Sequence, residues 1–331
     1  MSHGPPQEMA AALQGVPSTL IISLLARHLA SSRPDPIISD PAASALISRL
    51  GLSHLGGDWS FRAVEAGTAV RTWILDAAVR SFADGNRHPT VITVGAGLCT
   101  RCIRLGDLDV DWIDIDLPEV AALRSALLPP APNRTVLGES ALGRGWRARV
   151  AAIDGPRLFV IEGLTMYLDE PAVRDLVTGL ADRCPGSHLL IETAGPLTQP
   201  PGRYRQLDRA GQAQTRFRFG VRRLSELTRW HPRLELVETW HMMDYHRAAW
   251  PAPVRVLRHL PSVRAQSKIG HFHVTTERTA APVPAGFPGP GKTRLPTTYE
   301  TSTTVSMPPA CCGSNPRNVT RYVGRYATMP R

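Results

Sequence analysis

The stretch Val91-Ile92-Thr93-Val94-Gly95-Ala96-Gly97 decides the fold. Four β-branched residues read as a strand, and two glycines at its end let the backbone approach a ligand closely. Asp114 and Asp116, about twenty residues on at the end of the next apolar run, supply carboxylates that can accept hydrogen bonds from a ribose diol. The layout is that of a nucleotide-binding crevice. It does not say which nucleotide, because the third glycine of the dinucleotide fingerprint is replaced by Thr100.

Outward from this turn, strands are expected at 90–94, 110–117, 134–137, 157–161 and 188–193, with helices at 119–128 and 172–183 between them. Strands alternating with helices imply an α/β fold with a doubly wound, mostly parallel sheet. Ligands in such sheets bind beyond the carboxyl ends of the strands, where Gly95, Gly97, Asp116 and Glu162 all fall. Upstream, residues 1–88 read as an N-terminal helical cap. Ser18 and Thr19 can cap an apolar helical run, Asp40 before Pro41 is an N-cap followed by a favoured N1 proline, and 69–82 forms a further helix. Downstream, 234–240 and 271–276 are strand candidates joined by a Pro-rich connection over 250–261, which places the core at 89–277. Residues 278–331 are Pro-, Thr- and Gly-rich without periodicity and read as a disordered basic tail.

The chain of 331 residues carries a net charge of +10, but +5 of this lies in residues 281–331, so the charge does not mark a nucleic-acid surface on the folded part. Five cysteines with no apolar signal segment fit a reduced, cytoplasmic protein, and no run is long enough to span a membrane. Cys99-Thr100-Arg101-Cys102 is a lone C-x-x-C, and His241, Asp244, His246, His271 and His273 match no metal-binding spacing, so no metal ligand is assigned. Gly286 to Thr293 matches the P-loop pattern but lacks the strand before it and the helix after it.

Several ordered blocks carry a more specific resemblance. Ile161-Glu162-Gly163-Leu164-Thr165-Met166-Tyr167-Leu168 resembles the E-G-x-x-M-Y-L signature of the leucine carboxyl methyltransferase family, a class I S-adenosylmethionine-dependent group that includes bacterial polyketide O-methyltransferases. Val70 to Asp76 is similar to the family's Arg-containing helix. Gly95 to Arg101 is similar to its G-A-G-L-D-T-R loop, Asp114 to Val120 to its E-V-D-x-P-E-V segment, and Pro34 to Pro41 to an N-terminal block. The resemblance covers about residues 15–275 and implies a Rossmann-like seven-stranded sheet beneath the helical cap. It also implies that Arg71 pairs with the methionine carboxylate of the cofactor, Gly95 and Gly97 lie against it, Asp116 holds the ribose, and Glu162 lines the amino-acid end. Glu139 and Ser140 stand where an Asp-Leu pair commonly helps hold adenine, and Cys99 stands where the loop commonly has Asp.

S-adenosylmethionine has a carboxylate, an ammonium, a sulfonium and a diol but no phosphate, so it calls for one arginine and acids rather than a phosphate cradle. Methyl transfer from a sulfonium is a displacement in which positioning outranks proton chemistry. The expected acceptor is a small-molecule carboxylate of polyketide or other secondary-metabolite type, already ionised at neutral pH and in no need of a general base. Arg203, Arg205, Arg216 and Arg218 are candidates to hold it, and Tyr167 or His241 could serve as base for a hydroxyl acceptor. The alternative is a degenerate methyltransferase fold retained for binding, motivated by Cys99 and Glu139-Ser140. No nucleic acid or membrane partner is expected, and the oligomeric state is not specified.

Overall fold

Residues 18–52, 61–196 and 217–276 are described by the structure, a computed structural model. Seven strands form one sheet: β1 (Thr90–Val94), β2 (Asp111–Asp116), β3 (Arg134–Gly138), β4 (Arg157–Ile161), β5 (His188–Ala194), β6 (Leu234–His241) and β7 (Ser267–Val274). Their spatial order is β3-β2-β1-β4-β5-β7-β6, with β1 to β5 parallel and β7 antiparallel to both β5 and β6. The order in which strands are added reverses between the parallel neighbours β1 and β4, so the crevice opens beyond Val94 and Ile161.

Helices cover both faces, and the central strands β1, β4 and β5 are buried on both, as parallel strands in such a sheet are. Neighbouring residues serve opposite faces: Ile92 and Phe159 join one core with Trp146, Leu176 and Leu180, while Val91, Leu158 and Val160 join the other with Val70, Ile74 and Ala78. These last three lie on α3 (Arg62–Asp84), so the long helix before the first strand forms one layer of the α/β sandwich. Two described helices before it, α1 (Ser18–Ser31) and α2 (Pro41–Arg49), pack through Leu24, Leu46 and Ile47 onto Leu98, Leu123 and Leu127. They therefore sit on the glycine loop, on the short α4 (Arg101–Arg104) that follows it, and on α5 (Pro118–Leu127). Local sequence sets these starts. Asp40 caps α2 by accepting from the Ala43 N–H at 3.0 Å with Pro41 at the first helical position, and Pro118 opens α5.

On the other side of the sheet lie α6 (Gly145–Ala151) and α7 (Glu170–Arg183), the latter capped by Asp169 through the Ala172 N–H at 2.9 Å. The four-residue α8 (Ser225–Thr228) precedes β6. The last strand begins at Ser267, four residues before the expected start at 271. Its second residue is Lys268, which breaks the apolar pattern yet is buried, donating from Nζ to Val221 O and Ala265 O, each at 2.7 Å. Two proline-opened helices form here, α9 (Ala252–Leu257) within the Pro-rich connection and α10 (Pro261–Arg264) from its last residue onward. No helix among the described residues is long and apolar enough to cross a membrane. The tail at 278–331, the P-loop-like stretch within it, Cys311 and Cys312 lie outside the described residues.

Candidate functional site

The β1 strand ends in a turn in which Gly95 (φ +73°) and Gly97 (φ +49°) occupy the left-handed region. The N–H groups of Gly95 and Ala96 both reach Ile115 O, at 2.8 and 3.0 Å, which folds the turn back over β2. Both glycines are needed for close approach as well as for φ. A Cβ on Gly95 would come within 3.3 Å of Leu164, and one on Gly97 within 2.5 Å of Leu20 Cδ2. In this arrangement the space is filled by two leucines, one from the Glu162-Gly163-Leu164 loop and one from α1.

The acidic pair divides into two tasks. Asp116, at the carboxyl end of β2, accepts from the Gly97 N–H at 2.6 Å through Oδ2 and from the Leu117 N–H at 2.8 Å through Oδ1. Burial pushes its carboxyl above the ordinary range, against the pull of those two N–H groups, and it stays partly exposed beside the turn. Asp114 is 2% exposed and grips Arg124 Nε and Nη2 at 3.0 and 2.5 Å, while Arg124 Nη1 donates to Gly97 O and Cys99 O at 3.0 and 2.6 Å. Asp114 thus braces the loop from behind, and Asp116 faces the crevice.

Arg71 lies on α3 between two carboxylates. Its Nε is 2.8 Å from Glu162 Oε1 and its Nη1 is 3.2 Å from Glu192 Oε2, while its Nη2 donates to no described residue. The pairing extends in a chain. Glu162 Oε2 accepts from Arg101 Nη2 at 2.6 Å, Arg101 Nε donates to Asp76 at 2.9 Å, Arg104 Nε donates to Asp76 at 2.7 Å, and Arg104 Nη1 reaches Asp40 at 3.0 Å. Asp40 in turn accepts from Arg27 Nε at 2.9 Å. Burial would raise the Glu162 carboxyl, but Arg71 and Arg101 override it and hold the group well below the usual carboxylate range. Burial and the nearby Glu162 raise Glu192, which also accepts from the Gly163 N–H at 2.7 Å. Four guanidiniums and four carboxylates alternate beneath the glycine loop, an arrangement stable in a buried setting only because every charge has an opposite neighbour.

The remaining candidates sit as follows. Glu139, just past β3, accepts from the Trp146 N–H at 2.8 Å and pairs with Arg149, so its carboxylate faces the start of α6. Ser140 Oγ accepts from the Leu142 N–H at 3.3 Å, and its carbonyl accepts from the Trp146 indole at 3.1 Å. Tyr167 lies on the short 3-10 turn Thr165–Tyr167 at the crevice mouth and meets Phe217 edge-on, with ring centroids 5.4 Å apart. His241 ends β6, three strand spacings or roughly 14 Å from β4. Burial, then Arg264, depress its basicity. It stands apart from the crevice. Arg218 is exposed, its N–H donating to Met166 O at 2.7 Å, whereas Arg203, Arg205 and Arg216 lie outside the described residues. Among the described residues no group of three or more His, Cys, Asp or Glu is arranged to hold a metal.

The leucine carboxyl methyltransferase family pattern matches residues 21–181. The tetracenomycin polyketide synthesis O-methyltransferase TcmP of Streptomyces glaucescens is 30% identical, the match covering 76% of this chain and 94% of that protein. The chain belongs to the leucine carboxyl methyltransferase family. An S-adenosyl-L-methionine-dependent methyltransferase of Gibberella zeae, dpfgK, is 30% identical over 50% of this chain and 60% of its own length. A solved methyltransferase-like structure from Thermobifida fusca shares the fold at 19% identity, covering 77% of this chain and 95% of that one with a TM-score of 0.51.

Family membership makes the protein an S-adenosylmethionine-dependent methyltransferase, with that compound as methyl donor. The groups at the crevice are of the kind such a ligand needs, a cation at Arg71 and a partly exposed carboxylate at Asp116, with Leu20 and Leu164 occupying the space against the two glycines. Of the described arginines at the loop, Arg27, Arg104 and Arg124 are committed to carboxylates or carbonyls and Arg101 to Asp76 and Glu162 with only its Nη1 left over, and α4 is a single short turn, so among the described residues the loop's cations are spent on the protein's own groups rather than set out for a pyrophosphate. Thr100 uses its hydroxyl to donate to Asp40 Oδ2 at 2.6 Å, a task a third glycine could not perform.

Sequence reasoning placed Arg71, Gly95, Gly97, Asp116 and Glu162 around one crevice, and the structure brings them together. It missed Glu192, Asp76 and Arg101. A signal existed for Glu192, a lone acid inside the apolar strand His188-Leu189-Leu190-Ile191-Glu192, and for Arg101 as the last residue of the quoted loop block.

Proposed function

We propose that the protein transfers the methyl group of S-adenosylmethionine to a carboxylate of a small molecule of polyketide or related secondary-metabolite type. The cofactor supplies a methyl group made electrophilic by its sulfonium. Arg71, through the Nη2 edge left over by Glu162 and Glu192, would meet the methionine carboxylate. Asp116 would accept from the ribose hydroxyls through the lone pairs that Gly97 and Leu117 do not use, and Gly95 and Gly97 would let the backbone lie along the ligand. Glu139 and Ser140, past the end of β3, would bound the adenine end. Helices α1 and α2 would act as the cap of this pocket.

One observation carries the choice of acceptor. Of the carboxylates at the described crevice, Glu162 is clamped by Arg71 and Arg101 and held well below the usual carboxylate range, Glu192 is paired with Arg71 and the Gly163 N–H, and Asp116 accepts from the Gly97 and Leu117 N–H groups, so each is already engaged within the protein rather than set as a base against a hydroxyl. An acceptor that is already an anion needs no such base. The chain's part in catalysis is then to hold a carboxylate oxygen in line with the methyl group and keep water out, a contribution of up to about 7–11 kcal/mol in favourable systems. The relative TcmP, named for O-methylation in polyketide synthesis, supports the same class.

The test is chemical. Incubating the protein with methyl-labelled S-adenosylmethionine and a panel of aromatic carboxylic acids and matched phenols should label the acids, and mild alkali should release the label as methanol, as esters do. Alkali-stable label, or label on phenols alone, overturns the carboxyl assignment.

A further inference from the structure

Asp40 looks from the sequence like an ordinary helix cap, and it is one, but it does more. The residue is 0% exposed, and only one of its oxygens serves α2. The other, Oδ2, accepts three hydrogen bonds from outside that helix: Arg27 Nε of α1 at 2.9 Å, Thr100 Oγ1 of the glycine loop at 2.6 Å, and Arg104 Nη1 of α4 at 3.0 Å. Arg27, held by this contact, spends its Nη2 on Leu98 O at 2.7 Å, directly past the second glycine. Arg104 also donates to Thr100 Oγ1 at 2.6 Å, so the hydroxyl is locked from both sides. Burial of Asp40 opposes its ionisation, yet Arg104 and Arg27 keep the carboxyl below its ordinary range, so it is an anion at neutral pH.

The Asp40–Thr100 and Arg27–Leu98 contacts join parts of the chain 60 and 71 residues apart, and both land on the same six-residue turn, Gly95–Thr100. A loop with two left-handed glycines is intrinsically loose, because glycine gives up more conformational freedom on ordering than any other residue. Something must hold it in one shape before the cofactor arrives if affinity is not to be reduced by the fraction of time spent in other shapes. From the sheet side the loop is held by Asp116 and Arg124; from the opposite side, by Asp40 and Arg27.

We propose that Asp40 is a positioning residue of the cofactor crevice: its carboxylate fastens α1 and α2 to the Gly95–Thr100 turn, so that the N-terminal helices set the shape of the loop against which the cofactor lies. The proposal rests on the assignment of that turn to the cofactor crevice. It makes the N-terminal helices part of the donor site itself, apart from any role in enclosing the acceptor.

The test uses the full chain and two variants. Asp40→Asn keeps a good helix cap while removing the charge, and Thr100→Val removes only the loop's hydroxyl and leaves the Arg27–Asp40 and Arg104–Asp40 ion pairs in place. Calorimetric titration with S-adenosylhomocysteine, at temperatures well below each melting point, should show Kd raised about ten-fold or more for Asp40→Asn, the scale of losing a charge-assisted hydrogen bond. Thr100→Val should raise it several-fold, and Thr100→Ser should restore it. Backbone hydrogen exchange of the unliganded proteins gives a readout that activity does not. The Ala96, Gly97 and Cys99 amides, now bonded to Ile115 O, Asp116 Oδ2 and Ala96 O, should exchange at least about ten-fold faster, with β4 and β5 unchanged. Wild-type exchange in the loop, or a lowered melting point with unchanged Kd in both variants, overturns the proposal. Failure of the wild-type protein to bind S-adenosylhomocysteine, with loop exchange still raised in the variants, overturns the crevice assignment instead.

Discussion

Replacing Glu162 with Gln removes one negative charge from a buried set of four guanidiniums and four carboxylates while keeping the side chain's shape. Glu162 is the hinge of that set, 2.8 Å from Arg71 and 2.6 Å from Arg101, with its side chain 10% exposed. The amide leaves both cations with one anionic partner each, Glu192 for Arg71 and Asp76 for Arg101. Breaking a buried pair from one side costs about 3–5 kcal/mol, because the remaining charge stays desolvated. For a folded part of this size, roughly 2–4 °C of melting temperature per kcal/mol gives a fall of about 6–20 °C. The double variant Glu162→Gln/Arg101→Gln restores neutrality, three cations against three anions. Its destabilisation should therefore fall short of the sum of the single effects by at least about 1 kcal/mol, read from urea unfolding at pH 7. A melting shift below about 2 °C for Glu162→Gln, or additive singles, refutes the claim that the charges act as one connected set.

Other outcomes follow from neighbouring contacts. Asp116→Asn should weaken S-adenosylhomocysteine binding about ten-fold or more with little loss of stability, whereas Asp114→Asn, which frees Arg124, should chiefly lower the melting temperature; a reversed pattern in paired calorimetry and melting curves contradicts the division of the acidic pair. His188, bonded to His271 at 2.9 Å and stacked on His273, has its pKa brought down to about 4 by burial and by His273. Between pH 6.5 and 4 the unfolded chain binds a proton there that the folded chain refuses, so stability is complete above pH 6.5 and falls on acidification, by about 3 kcal/mol for this group. His188→Gln should flatten that slope in denaturant titrations, and an unchanged slope rejects it. Cys99→Asp should raise the melting temperature by roughly 2–4 °C, about 1 kcal/mol, by offering an acceptor to the buried Arg101 Nη1, which has no hydrogen-bond partner among the described residues. A lower melting temperature rules this out.

Much of the architecture was legible because its signals are local. The run at 91–94 followed by glycines, the strand-helix alternation and the Pro-opened helices are readable along the chain, and they fix where the crevice opens. The roles of charged residues were less legible, since they depend on contacts between distant segments. Asp114 and Asp116 look equivalent in sequence, yet Arg124, ten residues on from the first, withdraws Asp114 into the core. Arg71 could have been a surface arginine until Glu192, 121 residues away, closed against it. The analogy gave Glu139 an adenine-binding position but not its local partners: its carboxylate accepts from the α6 backbone, where Gly145 leaves room for it, a Cβ there falling 2.7 Å from Oε2. The glycines suggested room for a ligand, and the leucines that fill it come from segments some 70 residues away on either side. Lys268 hid the start of β7 because its ammonium finds backbone carbonyls rather than water.

The central claim is that this crevice, with Arg71 at one end and Asp116 at the other, holds the methyl donor. A crystal structure of the protein with S-adenosylhomocysteine tests it most directly. The account predicts the methionine carboxylate within hydrogen-bonding distance, about 3 Å, of Arg71 Nη2, and the ribose hydroxyls on the Asp116 carboxylate. A ligand seated elsewhere, or bound in the crevice with its carboxylate away from Arg71 and its ribose away from Asp116, would contradict it.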